Sequence, residues 1–248
     1  MDKEIENYKL KELQRWYRKS PGQVLKKLIN DEIIRYKESH RGKNALYIGL
    51  ADFKLKFKSK NHLSYLVFDN ISFDKHLESF KKLPFEDKSY DDIVLIHALD
   101  CTEKPYEFIR EINRIATDDA SITLIGFNKT SLWGLIRPYM KKETPWILNF
   151  HSLYNINEWF KLLGYKTTYR ESISFSPILS HRFSKIMEKV SFLQRIFFRS
   201  LGGIYFCSFK KEVIAATSIK VRFTDKYVVA PFKNLPLTES NENNRIVY

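Results

Sequence analysis

Two polar side chains that could do chemistry follow buried, apolar runs of this sequence. His97 comes directly after the run at residues 92–96, and Asp69 follows the run at residues 65–68. A continuous apolar run of this length predicts a strand buried on both faces, as in a parallel sheet. Histidine titrates near neutral pH, so His97 could serve as a general base. Asp69 stands twenty positions after Gly49, and an acid at about this offset in nucleotide-binding α/β folds accepts hydrogen bonds from ribose hydroxyls.

Each of these residues also has a structural interpretation. Asp69 precedes Asn70, and an Asp-Asn pair after a strand is ordinary turn chemistry. His97, and His151 as a second candidate base, can equally be structural histidines. The residue types and spacing leave both interpretations open.

The elements that must position these residues alternate between strand and helix. Apolar runs predict strands at 44–49, 65–68, 92–96, 121–127, 165–169 and 204–211. Helices are predicted after Thr102, ending at Asp118-Asp119, and between Ser152 and Gly164. This alternation predicts an α/β sheet whose strands end at a ligand site.

Two helices are predicted before the first strand. Helical spacing gives the opening helix a stripe formed by Leu10, Leu13, Trp16 and Tyr17. The second helix begins near Ser20, and its stripe comprises Val24, Leu25, Leu28, Ile29 and Ile33. Both helices are therefore expected to lie on the sheet.

The composition limits the remaining interpretations. The chain has 248 residues, with 42 Lys+Arg against 29 Asp+Glu and a formal net charge of +13. This charge is consistent with an anionic partner such as nucleic acid, a phosphorylated substrate or a membrane surface, although solubility with a compositional bias towards Lys is the favoured interpretation. The sequence has no apolar signal segment, no transmembrane window and no cysteine pattern for a disulfide framework or a metal, so we expect a reduced, cytoplasmic chain.

A basic, amphipathic helix is predicted near residues 178–201. Its apolar positions share one face, and Arg and Lys residues between 182 and 201 add positive charge. Such a helix could make peripheral contact with an acidic membrane surface, or it could pack on the core with a solvated basic side. From about Pro231 the chain is polar and Asn-rich, which predicts disorder.

Several motifs together resemble a known family. Leu83-Pro84-Phe85 leads into an acidic turn and then into the strand at 92–96. With Gly49, Asp69 and the helix at 107–114, this pattern resembles class I S-adenosylmethionine-dependent methyltransferases, and within them small-molecule methyltransferases of type 11. The segment GFNKTSLWGL at 126–135 and the strand IYFCSFKK are similar to an uncharacterised bacterial branch of that superfamily.

The resemblance implies a Rossmann-like class I methyltransferase fold, with a mostly parallel seven-stranded sheet and helices on both faces. With the element pattern, it divides the chain into N-terminal helices (1–42), an α/β domain with the helical insertion (43–215) and a C-terminal extension (216–248). It implies S-adenosyl-L-methionine as the cofactor and no metal. The cofactor-binding positions that it marks are Gly49, Leu50, Ala51, Asp69, Asn70, Phe80, Lys82, His97 and Ala98.

The cofactor loop departs from the family's pattern. Tyr47 stands where the family has an acidic residue, Ala51 and Phe53 replace its second and third glycines, and Ser79 replaces the acid of its adenine loop. Those glycines let the backbone approach a cofactor without a Cβ clash. Whether the cofactor binds therefore depends on this loop, which keeps only the first of the three glycines.

Three hypotheses for function follow. The leading one is an S-adenosylmethionine-dependent methyltransferase that acts on a small-molecule or lipid-like acceptor, with His97 as the base where a proton must leave. The alternative is a degenerate methyltransferase-fold protein without catalysis, acting as a scaffold or partner-binding module. RNA methylation ranks last, because the chain has no aromatic-flanked Asn/Asp-Pro-Pro-Tyr/Phe motif, so nucleic acid is not an expected partner.

Overall fold

The computed structural model describes residues 2–37, 44–50, 53, 62–67, 80–140, 143–173 and 202–212. All of them lie in one compact unit, Met1–Val213. The basic helix, the C-terminal extension and the cofactor positions Ala51, Asp69 and Asn70 lie outside the described residues, so they stay predictions, as do the domain boundaries. None of the described helices is long and apolar enough to cross a membrane.

Six strands form one mixed sheet in the described part of the chain. They are β1 (Asn44–Gly49), β2 (His62–Val67), β3 (Tyr90–Ile96), β4 (Ala116–Phe127), β5 (Tyr165–Ile173) and β6 (Ile204–Lys211). Their order is β2-β1-β3-β4-β6-β5. Strands β2, β1, β3 and β4 run parallel, whereas β6 is antiparallel to both β4 and β5. The predicted α/β fold is confirmed, with six strands described where seven were expected.

Strand β4 is longer than its apolar run predicts. Helix α4 ends at Ile115, and β4 begins at Ala116, where it pairs with Tyr90 before the register shifts. Asp118 and Asp119 are therefore exposed strand residues, and the prediction that they end the helix is wrong. Ala116 and the residues from Ser121 onward pair with β3, so the residues between them continue the strand although the local sequence assigns them to a turn.

Six helices accompany the sheet in the described ranges. They are α1 (Asp2–Tyr17), α2 (Ser20–Lys37), α3 (Ala98–Cys101), α4 (Pro105–Ile115), α5 (Leu132–Ile136) and α6 (Leu153–Leu162). The predicted stripe of α1 is fully buried. In α2, Leu25, Ile29 and Ile33 are buried, but Val24 and Leu28 are exposed. The predicted stripe of α2 is thus too wide, because among its five apolar positions only the three spaced four residues apart are buried.

The acidic turn before β3 is held from behind by Arg114 of α4. Its guanidinium donates to the carbonyl oxygens of Leu83 (3.2 Å) and Phe85 (2.9 Å) and pairs with Asp87 and Glu111. The Glu111 carboxylate in turn accepts the Leu83 N–H at 2.7 Å. The Leu-Pro-Phe turn is therefore a structural clamp that fixes where β3 enters the sheet.

The motif GFNKTSLWGL after β4 also has a packing role. The Asn128 side chain is fully buried, donates to Gly202 O (3.0 Å) and accepts from the N–H and hydroxyl of Thr130. Ser131 caps α5, with its hydroxyl accepting from Gly134 N–H at 3.3 Å. A Cβ at Gly203 would collide with the buried indole of Trp133. The motif thus joins the end of β4 to the start of β6.

We expect Arg114→Ala to lower the free energy of unfolding by about 2–3 kcal/mol, because it removes charged hydrogen bonds to two carbonyls and two carboxylates. Urea denaturation followed by circular dichroism measures this loss. Arg110→Ala, an exposed position on the same helix, is the control and should change stability by less than about 0.5 kcal/mol. Equal losses in the two variants would contradict the clamp.

Candidate active site at the carboxyl edge of the sheet

The edge where β3 ends is built around His97. Its N–H donates to Ile125 O of β4 at 2.8 Å, so its backbone still belongs to the sheet. Its φ is 56°, in the left-handed region, and this conformation turns the chain from β3 into α3. Such a backbone costs about 1–3 kcal/mol for a residue other than glycine, so the surroundings must hold it. The imidazole is only 1% exposed and stacks on Phe127 with centroids 4.6 Å apart.

Both nitrogens of the His97 ring have partners. Nε2 lies 2.5 Å from the Tyr17 hydroxyl of α1, and Nδ1 lies 2.8 Å from Oδ2 of Asp100 in α3. Burial raises the pKa of Tyr17 well above its usual value, and the negative charge of Asp100 raises it further. The phenol therefore keeps its proton at neutral pH. A neutral imidazole with its proton on Nδ1 satisfies both contacts: it donates to Asp100 and accepts from Tyr17.

Asp100 connects this pair to the neighbouring strands. Its Oδ2 also accepts the Phe127 N–H of β4 at 2.9 Å. Among the residues that the structure describes, its Oδ1 and the Tyr205 hydroxyl of β6 are both buried without a hydrogen-bond partner. Both atoms lie within 3 Å of the position that a Cβ on Gly126 would take, so glycine is required there. Asp100 therefore joins α3, β4 and, through His97, α1.

Helix α1 is fastened to the same turn at its other end. The buried Glu6 carboxylate accepts from the Thr102 hydroxyl (3.0 Å) and from Glu103 N–H (3.1 Å). Lys9 forms an ion pair with Glu103. The helix thus has polar contacts with residues 97–103 at both ends, and its apolar stripe is buried between them.

The described part of the predicted cofactor loop is also filled by protein. Tyr47 is fully buried, and its hydroxyl donates to Leu50 O at 2.8 Å. Its ring passes so close to Gly49 that a Cβ there would collide with the phenol oxygen. The close approach that glycine permits at this position serves an internal side chain. Phe53, at the third glycine position, packs edge-on against Tyr17 with centroids 4.9 Å apart.

The other described cofactor positions divide between core and surface. Ala98 and Leu50 are buried, and Phe80 is buried against Phe108 of α4, with centroids 5.0 Å apart. Lys82 is exposed. Of the described positions, the structure brings His97 and Ala98 together at the end of β3, and Gly49 and Leu50 together at the end of the adjacent β1.

These observations test whether the described residues fit S-adenosylmethionine. A residue that contacts a ligand must present a surface to it, yet the His97 ring is enclosed by Tyr17, Phe53 and Phe127, and the face of Gly49 is covered by Tyr47. In this conformation the described positions therefore do not fit the cofactor.

The second candidate base, His151, lies beside the same turn. Its Nε2 donates to Leu99 O at 3.1 Å, and its ring meets Trp159 edge-on. Burial lowers the pKa of His151 below the usual value, because it disfavours the imidazolium. His151 is therefore neutral at pH 7 and oriented by a backbone carbonyl two residues after His97.

The segment that contains this edge is similar to known proteins. Residues 50–124 match the family model described as "Methyltransferase domain". The structure is similar to an S-adenosylmethionine-dependent methyltransferase from Thermotoga maritima, with a TM-score of 0.55 and 12% identity, over 84% of this chain and 99% of that one. The chain has the class I methyltransferase fold. The segment that matches the family model includes both His97 and Asp100.

Two further proteins are similar to this chain. A chain of a complex that contains the Haloferax volcanii Trm112 methyltransferase activator is similar at a TM-score of 0.54 and 14% identity, over 81% of this chain and 96% of that one. The Escherichia coli (strain K12) protein YafS, described as uncharacterized, is 31% identical over 101 residues, or 40% of this chain. This match covers 42% of YafS, less than half of its length.

Sequence reasoning singled out His97 but missed its two partners. The helical spacing places Tyr17 in the apolar stripe of α1, and the sequence-based prediction gives Asp100 no role. The spacing His97-x-x-Asp100 was a usable signal, since residues three apart share one face of a helical turn. Nothing in the sequence could show that Tyr17, eighty positions earlier, meets the same ring.

We expect Asp100→Ala to destabilise the fold by about 3–5 kcal/mol, because it leaves a buried imidazole N–H and a buried backbone N–H without an acceptor. Urea unfolding measures the change. Asp119→Ala, an exposed aspartate on β4, is the control and should stay within about 0.5 kcal/mol of the wild type. A loss below about 1 kcal/mol in Asp100→Ala would contradict its connecting role.

The lowered pKa of His151 makes stability depend on pH in a defined direction. The unfolded chain, with a histidine pKa of about 6.5, takes up this proton more readily than the folded chain. The stabilisation is therefore present above about pH 6.5 and declines as the pH falls below that value. Between pH 7 and 5, the wild type should lose more unfolding free energy than His151→Gln. Identical slopes, or an NMR titration of His151 at or above 6.5, would refute this.

Proposed function

We propose that this chain is an S-adenosylmethionine-dependent methyltransferase that acts on a small-molecule or lipid-like acceptor. One observation carries the proposal: the segment that matches the methyltransferase family model, residues 50–124, begins directly after β1, includes β3 and enters β4, and so contains His97 and Asp100 at the carboxyl end of β3. In open α/β sheets, ligands bind at this edge. The acceptor class rests on the resemblance to small-molecule methyltransferases of type 11.

The residues of the edge support a role in handling a proton. Asp100 holds Nδ1 of His97, which leaves Nε2 as the atom that accepts a proton, the arrangement that a general base requires. Tyr17 occupies that atom in the structure. A base role for His97 therefore requires Tyr17 to move away from Nε2.

A second candidate function, a scaffold or partner-binding module of the same fold without catalysis, is favoured by a different observation. Tyr47 covers Gly49, and Tyr17 covers His97, so internal aromatic side chains take two places where the family places the cofactor. The two functions differ in whether any cofactor binds.

Thermal unfolding with S-adenosylmethionine or S-adenosylhomocysteine separates the two functions. A ligand at a hundredfold excess over its dissociation constant stabilises by about 2.7 kcal/mol, which is about 5–11 °C for a chain of this size. We expect such a shift for the wild type and its loss in Asp69→Ala. Asp31→Ala, an exposed aspartate on α2, should keep it. The absence of any shift at millimolar ligand would refute the methyltransferase proposal and favour the second function.

A further inference from the structure

The Tyr17 side chain closes the edge that the proposed function requires to be open. Its hydroxyl caps Nε2 of His97 at 2.5 Å, and its ring packs edge-on between Trp16 and Phe53. Tyr17 and His97 are each 1% exposed, so a ligand cannot reach the imidazole while this contact stands.

The contact comes from a distant part of the chain that has other attachments. Tyr17 is the last residue of α1, and the helix is also fastened at Glu6 and Lys9 to residues 102–103. These attachments would keep the start of the helix in place if its end lifted. The end carries the aromatic residues that cover His97, whereas Glu6 and Lys9 lie two to three turns away.

We propose that the end of α1 closes the carboxyl edge reversibly, and that the hydrogen bond between Tyr17 and His97 holds it closed. We call the end of α1 the latch. The inference rests on the proposed function, since it concerns the same site. The closed form is the one seen here. The form that binds the cofactor is the open one, in which Nε2 of His97 is released from Tyr17 and becomes available to an acceptor.

The energetics of this latch follow from burial. In the closed form Nε2 has no route to water, so the Tyr17 hydroxyl is the donor that satisfies it. Without that hydroxyl, the closed form keeps a buried, unsatisfied nitrogen, whereas the open form hydrates it. Tyr17→Phe therefore shifts the population towards the open form while leaving the aromatic packing almost unchanged.

A ligand that binds only the open form has an apparent affinity reduced by the open fraction. Tyr17→Phe should therefore tighten the binding of S-adenosylhomocysteine by about two- to tenfold, the factor that corresponds to one net hydrogen bond. Isothermal titration calorimetry on the full chain measures this change. Tyr8→Phe is the matched control, because Tyr8 lies on the same helix at 57% exposure. It should leave the dissociation constant unchanged.

Hydrogen exchange gives a second readout that needs no ligand. In Tyr17→Phe, amides near the end of α1 should exchange several-fold faster than in the wild type, and those of Tyr8→Phe should not. The NMR signal of the His97 ring nitrogens should also move in Tyr17→Phe alone, since only this variant removes the partner of Nε2.

The outcomes distinguish the latch from the proposed function. If the wild type binds S-adenosylhomocysteine and Tyr17→Phe binds equally well or more weakly, the latch is overturned and the methyltransferase proposal stands. If no variant binds the ligand, the proposed function fails, and hydrogen exchange alone decides whether α1 opens. Equal exchange rates in the two variants would then overturn the latch as well.

Discussion

The carboxyl edge of this sheet depends on one buried carboxyl group, that of Asp100. Removing a carboxylate from water costs several kcal/mol unless donors surround it. Here the donors are the His97 imidazole and the Phe127 N–H. Because the Asp100 carboxylate accepts from both, it connects α3 to β4. The same contacts hold His97 in its left-handed backbone conformation. Because Tyr17 binds the other ring nitrogen, the N-terminal helix is part of the edge and not an addition to it.

A second constraint recurs along the strands: three glycines adjoin aromatic rings of their own chain. A Cβ would strike the Tyr47 hydroxyl at Gly49, the Tyr205 hydroxyl at Gly126 and the Trp133 indole at Gly203. Gly49 and Gly126 lie in strands, Gly203 directly precedes β6, and at each position only glycine leaves room for the ring. Glycine at a strand end is often interpreted as space for a phosphate or a cofactor, and here the space at Gly49 is used by packing. A ligand can therefore reach this edge only if the side chains and the helix that cover it move.

The motifs that define the methyltransferase resemblance serve mainly to build the fold. Arg114 and Glu111 clamp the Leu-Pro-Phe turn, and Asn128 and Ser131 shape the turn after β4. These contacts hold the turn before β3 and the turn after β4, and His97 and Phe127 lie at the carboxyl ends of those two strands. Such residues fix the frame of a site, while the acceptor is selected by residues that vary from one member of a fold to another.

The sequence by itself determined the α/β alternation, the buried strands and the place of His97 at the end of β3, because periodicity and composition are local properties. It also identified the buried stripe of α1. Only the tertiary structure decided what the ends of these elements meet. The start of β4 at Ala116 required pairing with Tyr90 of β3, and the burial of His97 required Tyr17 from a helix eighty positions away. Sequence therefore marked the residues of the edge, and long-range packing decided that the edge is closed.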